Sequence, residues 1–285
     1  RSTLFPYTTL FRSGAGIASA VVTLVNTDTN VSQNTTADAS GIYRFASLAP
    51  GNYQVSATAA GFAGSKTTLT LSTNETRNVP IVLSIGQISS TVQVTSQQPL
   101  LDTSDSRNQL TIGQAALDNL PLAARNPLAL ITLAPGVTGL GVGSATNFNP
   151  ENWVDASANG RGANGNLYVV DGLDVTSSIR PGVVNLTPNA DTVAEANVQT
   201  NTYTVDYGRS SSIQTVITTK SGTDTYHGFA SEYYTYQGLT ARGEYGVPKG
   251  TRVAPFHTNN LSFGVGGPVI PHHKFFFFAG YEPYL

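Results

Sequence analysis

The chain offers few side chains whose type and spacing could do chemistry. Asp171 and Asp174 stand three apart in "YVVDGLDV". A glycoside hydrolase uses two carboxyls, but holds them at a set separation across a cleft. Here they flank a glycine, and Asp is favoured beside Gly in tight turns because its side chain bonds the local backbone. His272 and His273 are adjacent. Neighbouring side chains of an extended segment point to opposite faces, so one metal ion could not readily take both. "GVGGPV" and "GLGVG" are glycine-rich, yet neither has the lysine or the strand–loop–helix setting of a phosphate loop. No Ser/His/Asp arrangement is legible. No catalytic, cofactor-binding or metal-binding site is expected from these residues.

One stretch offers a different chemistry. "STVQVT" places Thr91, Val92, Gln93, Val94 and Thr95 in an otherwise polar run, residues 85–108. A proline-free, β-prone segment on a tether can add a strand to a partner's sheet edge, with affinity supplied by main-chain hydrogen bonds. The same residues could equally be the last strand of the domain before them. Both readings stand at this point.

The elements around these residues are mostly strands. Across 285 residues only 11% are charged and the net charge is −2, against about 25% charged in ordinary soluble domains. That balance gives no reason to expect a nucleic-acid partner. Cysteine and methionine are absent, which removes disulfides and thiolate sites. No stretch approaches the roughly 18 apolar residues of a membrane helix, so a membrane role would need β-strands of about 9–11 residues. Residues 14–84 read as short strands broken by turn signals such as Pro50-Gly51, the pattern of a β-sandwich. In "GIYRF" Tyr43 and Phe45 alternate with Ile42 and Arg44. Beyond residue 109, Leu117 and Leu120, then Leu128 and Ile131, recur at spacing three, and Pro121 and Pro127 divide two short helices. Residues 139–166 read as a Gly/Asn/Ala-rich loop. "NLYVVDGLDV" predicts a strand running into an Asp-Gly turn. "ADTVAEANVQTN" predicts a helical turn passing into a strand, and "SSIQTVITTKSGT" a strand that stops at Ser221-Gly222.

From Thr223 the chain is aromatic and Gly-rich. "YHGFASEYYTYQG", "NNLSFGVGGPVI" and "HKFFFFAGYEPYL" are segments of about ten residues, the length of outer-membrane strands. Leu261, Phe263 and Val265 share one face, Ser262 and Gly264 the other. Phe275–Phe278 puts two rings on each face, which a polar lumen would not predict.

Three resemblances follow from these motifs. "TLFPYTTLFRS", residues 3–13, resembles the in-frame translation of a common sequencing-library adapter, so residues 1–13 are expected to be an artefactual leader that packs against nothing, and the chain a fragment cut at both ends. "ADASGIYRFASLAPGNYQVSATAAGF" resembles the carboxypeptidase-regulatory-like, transthyretin-type domain through Asp38, Gly41, Tyr43, Phe45, Leu48, Pro50, Gly51, Tyr53, Val55, Gly61 and Phe62. Ala37 replaces that pattern's leading Thr. The domain carries no catalytic residues. "LPLAARNPLALITLAPGV", "YVVDGLDV", "VAEANVQTN", "YGRSSS", "TKSGTDTYHG" and "FGVGGP" together resemble TonB-dependent outer-membrane receptors, with the Oar-like group nearest. The chain departs from that pattern at Ala123-Ala124, Ala196, Asp224 and Leu261-Ser262.

The resemblance implies a mainly β fold in three parts. These are a β-sandwich at 14–84, an α+β plug domain at 109–220 and the first strands of a truncated outer-membrane β-barrel at 221–285, with 85–108 as linker. It implies that Thr91–Thr95 is a TonB box, that the partners are TonB with ExbB–ExbD in the periplasm, an unknown extracellular ligand and outer-membrane lipid, and that no cofactor is needed. The activity implied is energy-coupled uptake of a large or scarce ligand through a barrel gated by the plug, in the outer membrane of a Gram-negative bacterium. The rival is a surface adhesion or structural protein built on sandwich modules, which would be expected to repeat the sandwich.

Overall fold

The computed structural model describes residues 2–4, 9–10, 16–85, 92–94, 107–120, 122, 125–142, 151–201, 208–239, 257–270 and 274–283. Strands dominate it.

The N-terminal part contains β1 (Ser2–Leu4), β2 (Thr9–Leu10), β3 (Val21–Asn26), β4 (Ser32–Thr36), β5 (Phe45–Leu48), β6 (Gly51–Thr58), β7 (Ser65–Leu71), β8 (Thr76–Arg77), β9 (Ile81–Val82) and β10 (Val92–Val94). A five-stranded sheet runs β10-β7-β6-β3-β4, and a three-stranded sheet runs β5-β1-β8. The period-two alternation read from the sequence sets the core. Val22, Leu24, Tyr43, Phe45, Tyr53, Val55, Leu71 and Leu83 are buried together, while Ile42 and Arg44 point outward. The Tyr43 hydroxyl donates to the Val79 carbonyl at 2.6 Å, and burial holds its pKa well above the ordinary phenol value.

One expectation needs correction here. Ser2–Leu4 and Thr9–Leu10, the described residues of the first thirteen, do not lie outside the fold: β1 pairs antiparallel with β5 and parallel with β8, and β2 pairs parallel with β9. The physical reason is the open edge. Unpaired N–H and C=O groups accept any β-prone segment, and Thr and Leu suit that role.

The central part contains β11 (Gln109–Gly113), helix α1 (Gln114–Asn119), a 3-10 helix at Pro127–Leu133, β12 (Val137–Val142), β13 (Asn152–Ala158), β14 (Leu167–Val170), β15 (Leu173–Asp174), β16 (Val183–Val184), a 3-10 turn at Ala190–Thr192, β17 (Val193–Gln199) and β18 (Gln214–Thr219). Its main sheet runs β11-β17-β18-β14-β15, parallel only between β14 and β18. Leu117, Leu128 and Ile131 enter one core with Ile112, Val154, Tyr168, Val198 and Ile217. Leu120 does not: it is the C-cap of α1 and is half exposed. Asp171 (φ 48°) and Gly172 (φ 84°) form the turn between β14 and β15, since a two-residue hairpin of this hand needs positive φ at both positions. The expected loop at 139–166 is corrected, because β12 and β13 pair there. Gly139 is glycine for that pairing: a Cβ on it would stand 2.2 Å from the Asp155 carbonyl oxygen.

The last part is an antiparallel meander of β19 (His227–Tyr236), β20 (His257–Pro268) and β21 (Phe276–Tyr281). Its two faces differ. Leu261, Phe263 and Val265 point away from the central part with Ala230, Tyr234, Ala279 and Tyr281, and Phe263 and Val265 are 46% and 49% exposed. Glu232 is a carboxylate on that same face. The opposite face carries Ser231, Tyr233 and Ser262, and Ser262 is 2% exposed. The inward rings of the phenylalanine run find room over glycines. Phe229 lies across Gly264, Phe278 across Gly266, and the two rings stack at 6.5 Å.

Candidate functional site

The groups that converge most closely lie where the central part meets β19 and β20. Two local devices present them. Asn126 caps the 3-10 helix by accepting from the Leu128 N–H at 2.9 Å, with Pro127 in its first turn; proline there costs no hydrogen bond and comes with φ already set. That cap fixes Arg125, which sits at φ 55°. Asn189 caps the 190–192 turn by accepting from the Asp191 N–H at 2.7 Å.

Arg125 and Asp191 meet as an ion pair at 2.6 Å, with side chains 12% and 7% exposed. The other Asp191 oxygen accepts from the Ser231 hydroxyl at 2.6 Å, and the Tyr233 hydroxyl approaches the carboxylate at 3.5 Å. The Arg125 guanidinium lies 3.7 Å above the Tyr233 ring. Asn189 donates to Ser262 at 3.4 Å. A buried charge is tolerated only when paired and hydrogen-bonded, and here the terminal strands supply part of that satisfaction. Lys220 lies over the Phe229 ring at 4.7 Å. Burial lowers its pKa, against the pull of Asp118 and Asp191. Gly222 follows, and a Cβ on it would stand 2.2 Å from the Phe277 carbonyl oxygen. The chain thus passes from the central sheet into β19 through a gap only glycine fits.

A second junction joins the sandwich to the central sheet. The Thr73 N–H donates to Glu195 at 2.7 Å, the Thr73 and Thr218 hydroxyls are 2.9 Å apart, and Arg107 donates to the Asn74 carbonyl at 3.2 Å. Burial raises the Glu195 pKa; the bonds from Thr73 oppose that shift and Glu75 adds to it.

The residues singled out by sequence fare unequally. Val92–Val94 forms β10 and pairs in parallel with Ser65–Thr67 on the edge of the sandwich; Thr91 and Thr95 lie outside the described residues, as do His272 and His273. Asp171 accepts from the Thr219 N–H and hydroxyl at 2.9 and 2.8 Å. Asp174 accepts from the Thr176 N–H and pairs with Arg209 at 3.2 Å. Both are turn and edge residues. Sequence reasoning missed Arg125 and Asp191. The available signal was a lone cation in the apolar run "LPLAARNPLALITLAP", since such a charge needs a partner when its neighbours are buried.

Comparison with known proteins agrees with this architecture. The carboxypeptidase regulatory-like domain family matches residues 9–84, and the outer membrane beta barrel domain family matches residues 218–284. The TonB-dependent transporter Oar of Myxococcus xanthus is 28% identical over 280 residues, covering 93% of this chain and 25% of that protein. The chain therefore spans about a quarter of the length of that relative. Among solved structures, the Bacillus anthracis TIE protein aligns over 97% of this chain and 47% of its own, at 13% identity and a TM-score of 0.26, a value that carries no argument. The chain is mainly β and is similar to a TonB-dependent transporter, with a carboxypeptidase-regulatory-like match at residues 9–84 and an outer-membrane-barrel match at residues 218–284. It resembles a transporter and receptor class, not an enzyme class.

Proposed function

We propose that the chain is part of a transporter that takes up a large or scarce ligand through a barrel gated by a plug. Residues 109–220 are the plug in this reading, residues 221–285 begin the barrel, and residues 14–84 form a periplasmic sandwich. One observation carries it. Alternate residues of β20 send Phe263 and Val265 outward, while Ser262 and its neighbour Ser231 face polar groups of the central part. A strand that is apolar outside and polar inside suits lipid on one side and a filled lumen on the other. A surface adhesin would have no use for buried contacts between such strands and Asp191.

Thr91–Thr95 is the TonB box in this reading, and TonB, energised by ExbB–ExbD, is the periplasmic partner. β10 pairs over three residues with the sandwich's own edge, which is the alternative read from the sequence; what supports the box is that its backbone is competent for strand addition, the mode by which an extended segment, once released, adds to a partner's sheet. The experiment is binding of the chain to the periplasmic domain of a cognate TonB. Val94→Pro should abolish it, because proline removes a ladder donor, and Val92→Ile should leave it within about twofold, since side chains contribute little to strand addition. Equal binding by Val94→Pro would refute the assignment.

A further inference from the structure

We propose that the N-terminal sandwich braces the plug against the barrel, so that the plug cannot shift until the sandwich lets go of one of them. This rests on the plug reading above. The same small domain makes two grips on two different bodies. Its Ser72–Glu75 turn holds the central sheet: Thr73 is 3% exposed and meets Glu195 and Thr218, and the carbonyl of the next residue, Asn74, accepts from Arg107. Its turn after β3 holds the approach to β19. The Asp224 N–H donates to the Asp28 carbonyl at 3.1 Å, and the Asn30 side chain donates to the Asp224 carboxylate. Asp28 itself is fixed, because its N–H donates to Asn26 at 2.9 Å and its carboxylate accepts from the Asn52 N–H at 3.3 Å. Between the sandwich and the terminal strands lies a cavity of about 310 Å3, lined by Asp28 and Tyr53 on one side and Thr223, Lys274 and Phe276 on the other.

Motion of residues 109–220 relative to β19–β21 must break one grip, because a rigid sandwich cannot follow both. The sandwich has a well-packed core between its sheets, and such interiors resist deformation. The grips are few polar bonds at turns, the kind of contact that opens far below the cost of global unfolding. The sandwich therefore acts as an autoinhibitory strap, and whatever pulls on residues 85–108 pulls on the segment that joins strap to plug.

The chain has no cysteine, so a single Ser262→Cys reports on the seam in the full chain, in outer-membrane vesicles. Ser262 is buried against Asn189, and a thiol introduced there should react slowly with a maleimide. Adding Glu195→Ala with Asp224→Ala removes one acceptor from each grip and should raise the labelling rate about tenfold, at a factor of a few for each bond lost. Glu195→Gln with Asp224→Asn keeps an acceptor oxygen at both grips and should label at nearly the parent rate. Should the alanine pair fail to assemble, Asp224→Ala alone decides, since that residue is exposed, and it should raise the rate about threefold. An unchanged rate in the alanine variants, or an equal rise in the Gln/Asn pair, overturns the brace while leaving the plug intact. Fast labelling of the introduced thiol in the otherwise unaltered chain overturns the plug reading itself, and the brace with it.

Discussion

Asp191→Asn is the most informative single change. It keeps the shape of the side chain and an oxygen for the Ser231 hydroxyl, but removes the charge that answers Arg125 across 2.6 Å. Breaking a buried pair by removing one partner costs about 3–5 kcal/mol, because the remaining charge is left uncompensated. Here Arg125 keeps its place over the Tyr233 ring at 3.7 Å, an interaction that returns about 0.5–1 kcal/mol. The expected loss is therefore about 2–4.5 kcal/mol, or roughly a 30- to 1,600-fold rise in local opening at about 1.4 kcal/mol per decade. Native-state hydrogen exchange reads it directly. The Thr192 N–H donates to the Asn189 carbonyl at 3.0 Å and the Lys220 N–H to Thr192 at 2.8 Å, and both amides should exchange faster by that factor. Replacing both members, as Arg125→Met with Asp191→Leu, should cost less than either single change, since a buried pair is often matched by apolar residues of similar size. Exchange within threefold of the parent in Asp191→Asn would refute the account of the pair as a buried one that pins the seam.

Tyr43→Phe should lower sandwich stability by about 1–3 kcal/mol, measured by thermal melting, because the Val79 carbonyl loses its buried donor. Gly222→Ala should prevent assembly of the β20–β21 sheet onto the chain, read as lost heat-modifiable mobility on a gel, whereas Gly172→Ala, with open space around it, should cost about 1 kcal/mol of backbone strain. The folded-state pKa of Glu195 is raised by burial, so its contribution to docking is greatest below the ordinary Glu range and is lost as pH rises through the raised value; melts across pH 4–8 should show that slope, and Glu195→Gln should flatten it. Val94→Pro should also release β10 from Ser65–Thr67, seen as faster exchange on the β7 edge with the rest of the sandwich unchanged.

Where sequence and structure agree, a local rule was enough. Asp171-Gly172 needs positive φ twice, and only a few residue pairs supply that. Tyr43 and Phe45 are buried and alternate with exposed residues, while Phe263 and Val265 are themselves exposed and alternate with buried Ser262 and half-buried Gly264. The failures have non-local causes. Gly139 and Gly141 look like loop residues by composition, yet they lie in a strand whose partner passes too close for a Cβ at Gly139. Phe229 and Phe278 face inward because Gly264 and Gly266 on the neighbouring strand β20 leave the volume for rings, which no single segment reveals. Arg125 and Asp191 are 66 positions apart, so no periodicity links them. Ser2–Leu4 pairs with β5 and β8 because those edges were open, and an edge is a property of the sheet, not of the segment that fills it.

The central claim is that β20 has lipid on one face and the plug on the other. Nitroxide labels placed singly at residues 260–266 of the cysteine-free chain, in a bilayer, test it most directly. The account predicts oxygen accessibility that alternates with period two, high at 261, 263 and 265 and low at 262 and 264, with a water-soluble nickel reagent excluded from the outward sites. Ready access of the nickel reagent to 263 and 265, with no preference for oxygen, would contradict it and make these strands the face of a soluble sheet.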